Sequence, residues 1–590
     1  MNNTFTFQHQ LPSLPIPTLE ETKTKLLEWI EPLVTDEQFE ETTRIAEKFF
    51  SETGEARLLH EQLKEWDEQL PGSWLKPFWD EMYLAFRGSL PLEMNFSMLL
   101  DTDDVKNRYT VSSLVGKIGY SVTELYHLIV DEKVAPEMVK GIPLCMSQYK
   151  NLFKSIRIPR PGTDEYVVGE WTKANNYIVL VHRNHFYRLD VSDADGNQYS
   201  DEQLENAVES ILTSSPEWGE NVGIFTTAER ETAANIYTDL SKSANHADNL
   251  KVIADALVVI SLDETTKGDA LESLFSNSLS RYYDKTIEII VFENGEVGFN
   301  FEHTGIDGTT SLAIVNHVSE GLQREEAGAV NEIGEPNVAK LDWELTSEMK
   351  NVLRRLEEQF EQAKAEYDLN LLQFKEIGAR DIKRLGISPD AFFHMALQIA
   401  QYRTFGAIRS TYEPVAVRFF NEGRTECARA ASNEKSNLVI ALERGDESNE
   451  ALYELMKQAS NAHSGRLKEC QRGHGVERHL VGLQQMVKMY GERLGIREMP
   501  ELFTDAGYVT LRHDFLSTSG MTIPNVKSWI FGPVVADGYG IGYSVVEDHI
   551  SINVSSKMGN GENAKTFIQQ VTIALNELKE IAESQLQASR

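Results

Sequence analysis

The sequence predicts a mixed α/β fold, and three observations carry that reading. Runs rich in β-branched and aromatic residues, such as Tyr177-Ile178-Val179-Leu180-Val181 and Thr286-Ile287-Glu288-Ile289-Ile290-Val291-Phe292, recur between stretches whose apolar positions return at helical spacing. At 590 residues the chain exceeds one ordinary core and is expected to form two large domains or one of unusual size. Hydrophobic residues make up 41% and charged residues 25%, the balance of a soluble globular protein. No apolar run approaches the roughly 18 to 20 residues that cross a bilayer, so no membrane span is expected.

In chain order, Leu11-Pro12-Ser13-Leu14-Pro15-Ile16-Pro17 is an extended arm, because closely spaced prolines remove backbone donors and exclude a helix. It leads into helices over about 19–52 and 57–68. Trp74-Leu75-Lys76-Pro77-Phe78-Trp79-Asp80-Glu81-Met82-Tyr83 follows and is read as a packing element. Strands are expected at 177–181, 186–191, around 257–262 and at 286–292, and after the turn Glu293-Asn294-Gly295-Glu296 another at 297–300. A charged amphipathic helix is predicted over 346–369 and a second over 388–403, with Ser388 at its N-cap and Pro389 at the first helical position. The last quarter returns to strands at 528–535, 540–545 and 549–554 and closes with a helix over 564–587.

A net charge of -34 argues against general nucleic-acid binding, since most of the surface repels a phosphate backbone. An anionic ligand therefore requires a local basic cluster, and Lys375, Arg380, Lys383 and Arg384 gather just before Ser388-Pro389-Asp390. A solvated helix face is the alternative for that cluster. Cys145, Cys427 and Cys470 fit neither a zinc ribbon nor a disulfide framework, which points to reduced thiols and the cytoplasm. The start lacks a basic n-region and an apolar h-region, and Ala588-Ser589-Arg590 is not a peroxisomal signal. H-E-x-x-H, Walker A and G-x-S-x-G patterns are absent, and Gly538-Tyr539-Gly540-Ile541-Gly542 does not open a helix as a dinucleotide loop does; no metal is expected.

Phe301-Glu302-His303-Thr304-Gly305-Ile306-Asp307-Gly308 follows the 297–300 strand and is the most informative stretch. His303 taken alone, one of 14 histidines, is as well explained as a hydrogen-bonded structural side chain. Further on stand Thr411-Tyr412-Glu413, Glu422-Gly423-Arg424-Thr425-Glu426, Glu477-Arg478-His479-Leu480, Leu516-Ser517-Thr518-Ser519 and Phe531-Gly532-Pro533-Val534-Val535. A tyrosine hydroxyl, a threonine hydroxyl and a guanidinium suit a carboxylate in a solvent-poor pocket, although each motif alone is also an ordinary charged or polar segment.

Together these motifs and their intervals resemble the choline/carnitine acyltransferases over nearly the whole chain. The resemblance implies a two-domain fold of the chloramphenicol acetyltransferase type with the active site in a tunnel between the domains: 75–345 carrying the histidine, and 1–74 with 346–590 carrying the acceptor and coenzyme A motifs. It implies reversible transfer of a short acyl group, acetyl foremost, between coenzyme A and carnitine, with coenzyme A as co-substrate and no permanently bound cofactor. His303 is then the general base and Ser519 the oxyanion donor; Tyr412, Thr425, Arg478, Ser517 and Phe531 hold carnitine; Lys383, Asp390 and Arg380 hold coenzyme A; and Trp529 closes the acyl pocket. Asp307 is read as support for the histidine loop, with a relay to His303 as the alternative. Choline-specific members lack an arginine at the position of Arg478, which disfavours a choline acetyltransferase, and intact His303, Ser517 and Ser519 disfavour a silent acyl-CoA or carnitine sensor. Three positions depart from the family pattern: Ala379 replaces a common lysine, Cys427 a common threonine, and Gly520 the usual glutamine. The protein is expected to be a monomer.

Overall fold

The computed structural model describes residues 3–214, 217–264, 270–325 and 334–588. The first two and last two residues, which entered the reading of targeting signals, lie outside them. Two large sheets organise the molecule. The first has eight strands in the order Val338–Leu341, His185–Asp190, Tyr177–His182, Val259–Asp263, Ile287–Phe292, Val297–Phe301, Phe96–Leu100 and Val526–Phe531. Its central strands Tyr177–His182, Val259–Asp263 and Ile287–Phe292 run parallel to one another and are buried along their whole length. That burial on both faces explains why they read as continuous apolar runs rather than as alternating ones.

The second sheet has six strands, Tyr367–Phe374, Ile550–Lys557, Tyr539–Val545, Leu516–Gly520, Thr411–Ala416 and Thr425–Arg429. Helices Pro389–Phe405 and Gly561–Ala588 pack on it and share one hydrophobic core with its strands.

One strand joins the two halves. Val526–Phe531 lies within 346–590 but pairs antiparallel with Phe96–Leu100 in the eight-stranded sheet, placing Trp529 opposite Met98 and Phe531 opposite Phe96. Side chains of the six-stranded sheet tie it down: Asn553 Nδ2 donates to the Trp529 carbonyl at 2.7 Å and Ser555 Oγ to that of Phe531 at 2.6 Å. The strand ends at Phe531 rather than 535: Pro533 has no backbone N–H to continue the ladder, and Gly532 lies so close to the Leu92 backbone that a Cβ there would meet its carbonyl at 1.8 Å.

Two helices differ from their expected extents. The stretch 19–52 is two helices, Leu19–Ile30 and Asp36–Phe49, separated by a turn containing Pro32 and restarted by a capping box in which Thr35 and Gln38 satisfy each other's backbone N–H. The helix predicted over 346–369 stops at Lys364, and Tyr367–Phe374 instead pairs along its full length with Ile550–Lys557. Pairing eight residues against an open sheet edge outweighs the weak helical preference of its period-two sequence. A buried 20-residue helix, Val111–Val130, adds to the elements expected from the sequence. Its Gly116 permits close contact with helix Asp201–Ser214, where a Cβ would approach the Asp201 carbonyl to 2.5 Å.

Candidate active site

A cavity of about 690 Å³ opens between the two sheets, and every residue assigned by the resemblance to the catalytic, acceptor and acyl sites lines it. His303 stands two residues beyond strand Val297–Phe301, in the turn that Asp307 closes as N-cap of helix Gly308–Gln323. Its Nδ1 lies 2.9 Å from the Ile306 carbonyl. A carbonyl only accepts, so Nδ1 carries the hydrogen and the neutral ring keeps a lone pair on Nε2. Phe96 packs edge-on against the ring at 4.9 Å and Tyr83 at 5.3 Å. Burial holds the imidazole pKa below its ordinary 6.5 and outweighs the opposing pull of Asp307.

Asp307 is engaged elsewhere. Arg424 clamps it bidentately, with Nε 2.8 Å from Oδ2 and Nη2 3.0 Å from Oδ1, and Gln148 Nε2 adds a bond of 2.7 Å to Oδ2. The His303 Nδ1 is 4.0 Å from Oδ1, too far for a hydrogen bond. Arg424 also donates to the carbonyls of Thr304 at 2.8 Å and His303 at 3.3 Å, so the Asp307–Arg424 pair holds the loop that aims the imidazole. Sequence reasoning missed Arg424 and Gln148. The only signal for Arg424 is its place inside a motif, 117 positions from its partner.

On the facing wall, Thr411–Ala416 and Thr425–Arg429 pair antiparallel, and helix Glu477–Leu494 presents Arg478 in its first turn. Arg478 Nη2 lies 3.1 Å from the Tyr412 hydroxyl and 3.4 Å from that of Thr425, Nε donates to the Thr425 carbonyl at 2.9 Å, and the guanidinium stacks over Trp79 at 4.2 Å. The nearby acids are occupied. Glu477 pairs with Arg429 at 2.9 Å and Arg512 at 3.0 Å. Glu426 accepts the backbone N–H of Cys427 and Arg478, and burial pushes its carboxyl up to about 7. Among the described residues no carboxylate lies within 4.0 Å of the buried Arg478 guanidinium, which leaves a desolvated cation facing the cavity. Trp79 and Tyr83, on helix Lys76–Leu84, were expected only to pack; both line the cavity as well.

Ser517 and Ser519 lie on Leu516–Gly520, and the two-residue period of a strand gives them one face. Ser517 is in register with Tyr412, while Thr518 Oγ1 turns to the Tyr412 carbonyl at 2.7 Å. The joining strand brings Trp529 and Phe531, whose rings stack at 5.5 Å. Trp529 is 3% exposed and its Nε1 donates to the Tyr543 carbonyl at 3.3 Å. Gly520 has a local reason: a Cβ there would meet the Tyr543 ring at 2.5 Å, so the glutamine usual at this place has no room. Cys427 is fully buried, and burial pushes its thiol well up.

The residues assigned to coenzyme A are not brought to this cavity. Arg380 and Lys383 are exposed on the short helix Ala379–Arg384, with Arg380 Nε 3.5 Å from Asp381. Asp390 lies at the start of helix Pro389–Phe405, where Oδ1 accepts from Tyr543 at 2.6 Å and Oδ2 lies 2.9 Å from His463 Nε2.

The family model for Choline/Carnitine o-acyltransferase matches residues 14–572. Carnitine O-acetyltransferase of Columba livia is 29% identical over 98% of this chain and 94% of its own length. Carnitine O-palmitoyltransferase 2, mitochondrial, of Homo sapiens is 31% identical over 98% of this chain and 92% of its own length. With a match that spans almost the whole chain and a histidine-centred cavity between two α/β units, this protein belongs to the choline/carnitine O-acyltransferase family and is an acyltransferase.

Proposed function

We propose that the chain is a carnitine O-acyltransferase that exchanges a short acyl group, acetyl foremost, between coenzyme A and carnitine. The observation that carries the acceptor is Arg478: a buried guanidinium with no carboxylate within 4.0 Å among the described residues gains most from an acceptor that brings its own carboxylate. Choline brings none. In the forward direction His303 Nε2 takes the proton of the carnitine hydroxyl as its oxygen attacks the thioester carbonyl. The Ser519 hydroxyl donates to the resulting oxyanion. The C–S bond then breaks, and the proton on Nε2 passes to the departing thiolate. Because the imidazole ends as it began, the same ring serves the reverse reaction without an acyl-enzyme. The proposed base, oxyanion donor and acceptor residues all come from one chain, in keeping with a proposed monomer. Cys145, Cys427 and Cys470 are free thiols, and the cytoplasm is the proposed compartment. Thiol release from acetyl-CoA with carnitine, with choline and with neither tests the reading; release independent of acceptor, or faster with choline, overturns it.

Similarity to both acetyl- and palmitoyltransferases at about the same identity leaves chain length to the pocket. Trp529 is the proposed gate, since its buried indole occupies space between the two sheets. Each additional methylene gains about 0.8 kcal/mol when buried, a gain the ring denies by filling the space. The wild type is expected to favour acetyl-CoA over octanoyl-CoA in kcat/KM, and Trp529→Gly to shift preference toward octanoyl at a stability cost of roughly 3 to 5 kcal/mol for the lost ring. A folded glycine variant with unchanged chain preference removes Trp529 from the gate.

For coenzyme A, the exposed Lys383 is the proposed phosphate contact on an otherwise acidic surface. Lys383→Ala is expected to raise KM for acetyl-CoA several-fold and to flatten its dependence on ionic strength, because salt screens an exposed charge over roughly 8 to 10 Å. Steady-state titrations at low and high salt check this, and an unchanged KM excludes the contact.

A further inference from the structure

Behind the six-stranded sheet, Asp390 and His394 of helix Pro389–Phe405 meet Glu413 of strand Thr411–Ala416 and His463 of helix Asn449–Gln471. One donor atom from each lies within 4.8 Å of the other three. Three of the separations are 2.9 Å (Asp390 Oδ2 to His463 Nε2), 3.4 Å (His394 Nε2 to Glu413 Oε2) and 3.6 Å (His463 Nε2 to Glu413 Oε2). Metal–ligand bonds of about 2.0 to 2.2 Å in a tetrahedron place ligand atoms about 3.3 to 3.6 Å apart, so the cluster needs only small adjustments to enclose an ion.

We propose that Asp390, His394, Glu413 and His463 form a structural Zn²⁺ site. The observation that asks for an ion is Glu413. Its side chain is 7% exposed, and Oε2 accepts no hydrogen bond although it faces both imidazoles. A buried carboxylate oxygen left unpaired is costly. Two carboxylates and two neutral imidazoles give a divalent cation an electrically neutral set of N and O donors. His394 and Asp390 stand one helical turn apart, which puts both on one face.

The outer contacts suit such a site. Tyr543 donates to Asp390 Oδ1 at 2.6 Å and orients that carboxylate. Its hydroxyl also lies 3.1 Å from His394 Nε2, a contact that metal binding replaces. Lys435 Nζ donates to the Ala430 carbonyl and lies 2.9 Å from His463 Nδ1. Asp390 is the one partly exposed member, at 35%, and gives the ion its way in. Asp390 and Glu413 stand in motifs read for other roles, and the cluster is not visible in sequence because its four members come from three elements separated along the chain. The four side chains lie apart from the lining of the His303 cavity, and the proposal gives Asp390, assigned to coenzyme A by the resemblance, to the metal instead.

The test uses the full chain, stripped with a chelator, titrated with Zn²⁺ by calorimetry, dialysed and analysed for metal. A single equivalent of tightly held Zn²⁺ is expected, with a rise in Tm. His394→Gln and His463→Gln are expected to weaken binding at least 10- to 100-fold, the loss usual even for an outer-shell partner, while the surface variant His549→Gln retains it. A crystal of the wild type soaked in Zn²⁺ and measured at the zinc edge decides the matter if either variant fails to fold. An anomalous peak among the four side chains supports the site. A wild type that binds no more Zn²⁺ than the two variants, or a peak elsewhere only, overturns it.

Discussion

His303→Ala is expected to lower kcat by roughly 10²- to 10⁴-fold, the usual loss when a positioned general base is removed. The geometry makes the prediction specific. Nδ1 is committed to the Ile306 carbonyl and Asp307 to Arg424, so the carboxylate of the same loop is not free to replace the imidazole as base. Binding of coenzyme A is expected to change little, because the ring's contacts are with Phe96, Tyr83 and its own loop. The same mechanism sets the pH profile. Burial disfavours the charged imidazolium, so the ring gains its proton only at a pH below the ordinary 6.5. The base form is therefore retained at neutral pH, and the acid limb of kcat/KM is expected to fall with a midpoint under 6.5 and to vanish in His303→Ala. Ser519→Ala, which removes the oxyanion donor and leaves the base, is expected to lose about 10²- to 10³-fold in kcat. Single-turnover measurements with saturating acetyl-CoA check both; an active His303→Ala enzyme overturns the mechanism.

Arg478→Asn is expected to raise KM for carnitine steeply while improving choline relative to it. Removing one partner of a desolvated charge pair costs about 2 to 5 kcal/mol, which is roughly 30- to 4,000-fold in affinity. The guanidinium is fixed by the Tyr412 and Thr425 hydroxyls, the Thr425 carbonyl and the Trp79 ring, so it is held in place before any ligand arrives. Asparagine keeps a polar group there and removes the charge. Comparing kcat/KM for the two acceptors in both proteins separates recognition from scaffolding: equal losses with carnitine and choline mean that Arg478 only supports the fold.

Much of the fold and of the site is legible in the amino-acid sequence, for reasons that differ from place to place. The central strands 177–181 and 286–292 stand out because burial on both faces demands unbroken apolar sequence. The segment 365–374 does not, because alternating polar and apolar residues after a charged helix gain their strand identity only from the partner Ile550–Lys557. His303, Tyr412, Thr425, Arg478, Ser517 and Ser519 are picked out through short motifs, and they line one cavity. Arg424 and Gln148 escape such a reading because their importance lies in their partner, Asp307, not in their own neighbours. Trp79 escapes it because a packing tryptophan and one stacked on a guanidinium read alike in sequence.

By itself, the sequence determined the α/β class, the absence of a bilayer-length apolar run, the family motifs and the chemical types at the site. These are local properties, set by the spacing of side chains along a few turns or one strand. The tertiary structure decided what the motifs mean to one another: that Val526–Phe531 leaves its own half to complete the other sheet, that Asp307 pairs with Arg424 rather than with His303, and that Arg478 is buried with no carboxylate within 4.0 Å among the described residues. The reason is physical. Charge pairing and desolvation depend on distances between residues far apart in the chain, such as the 117 positions between Asp307 and Arg424, and those distances exist only once the hydrophobic cores have packed against one another.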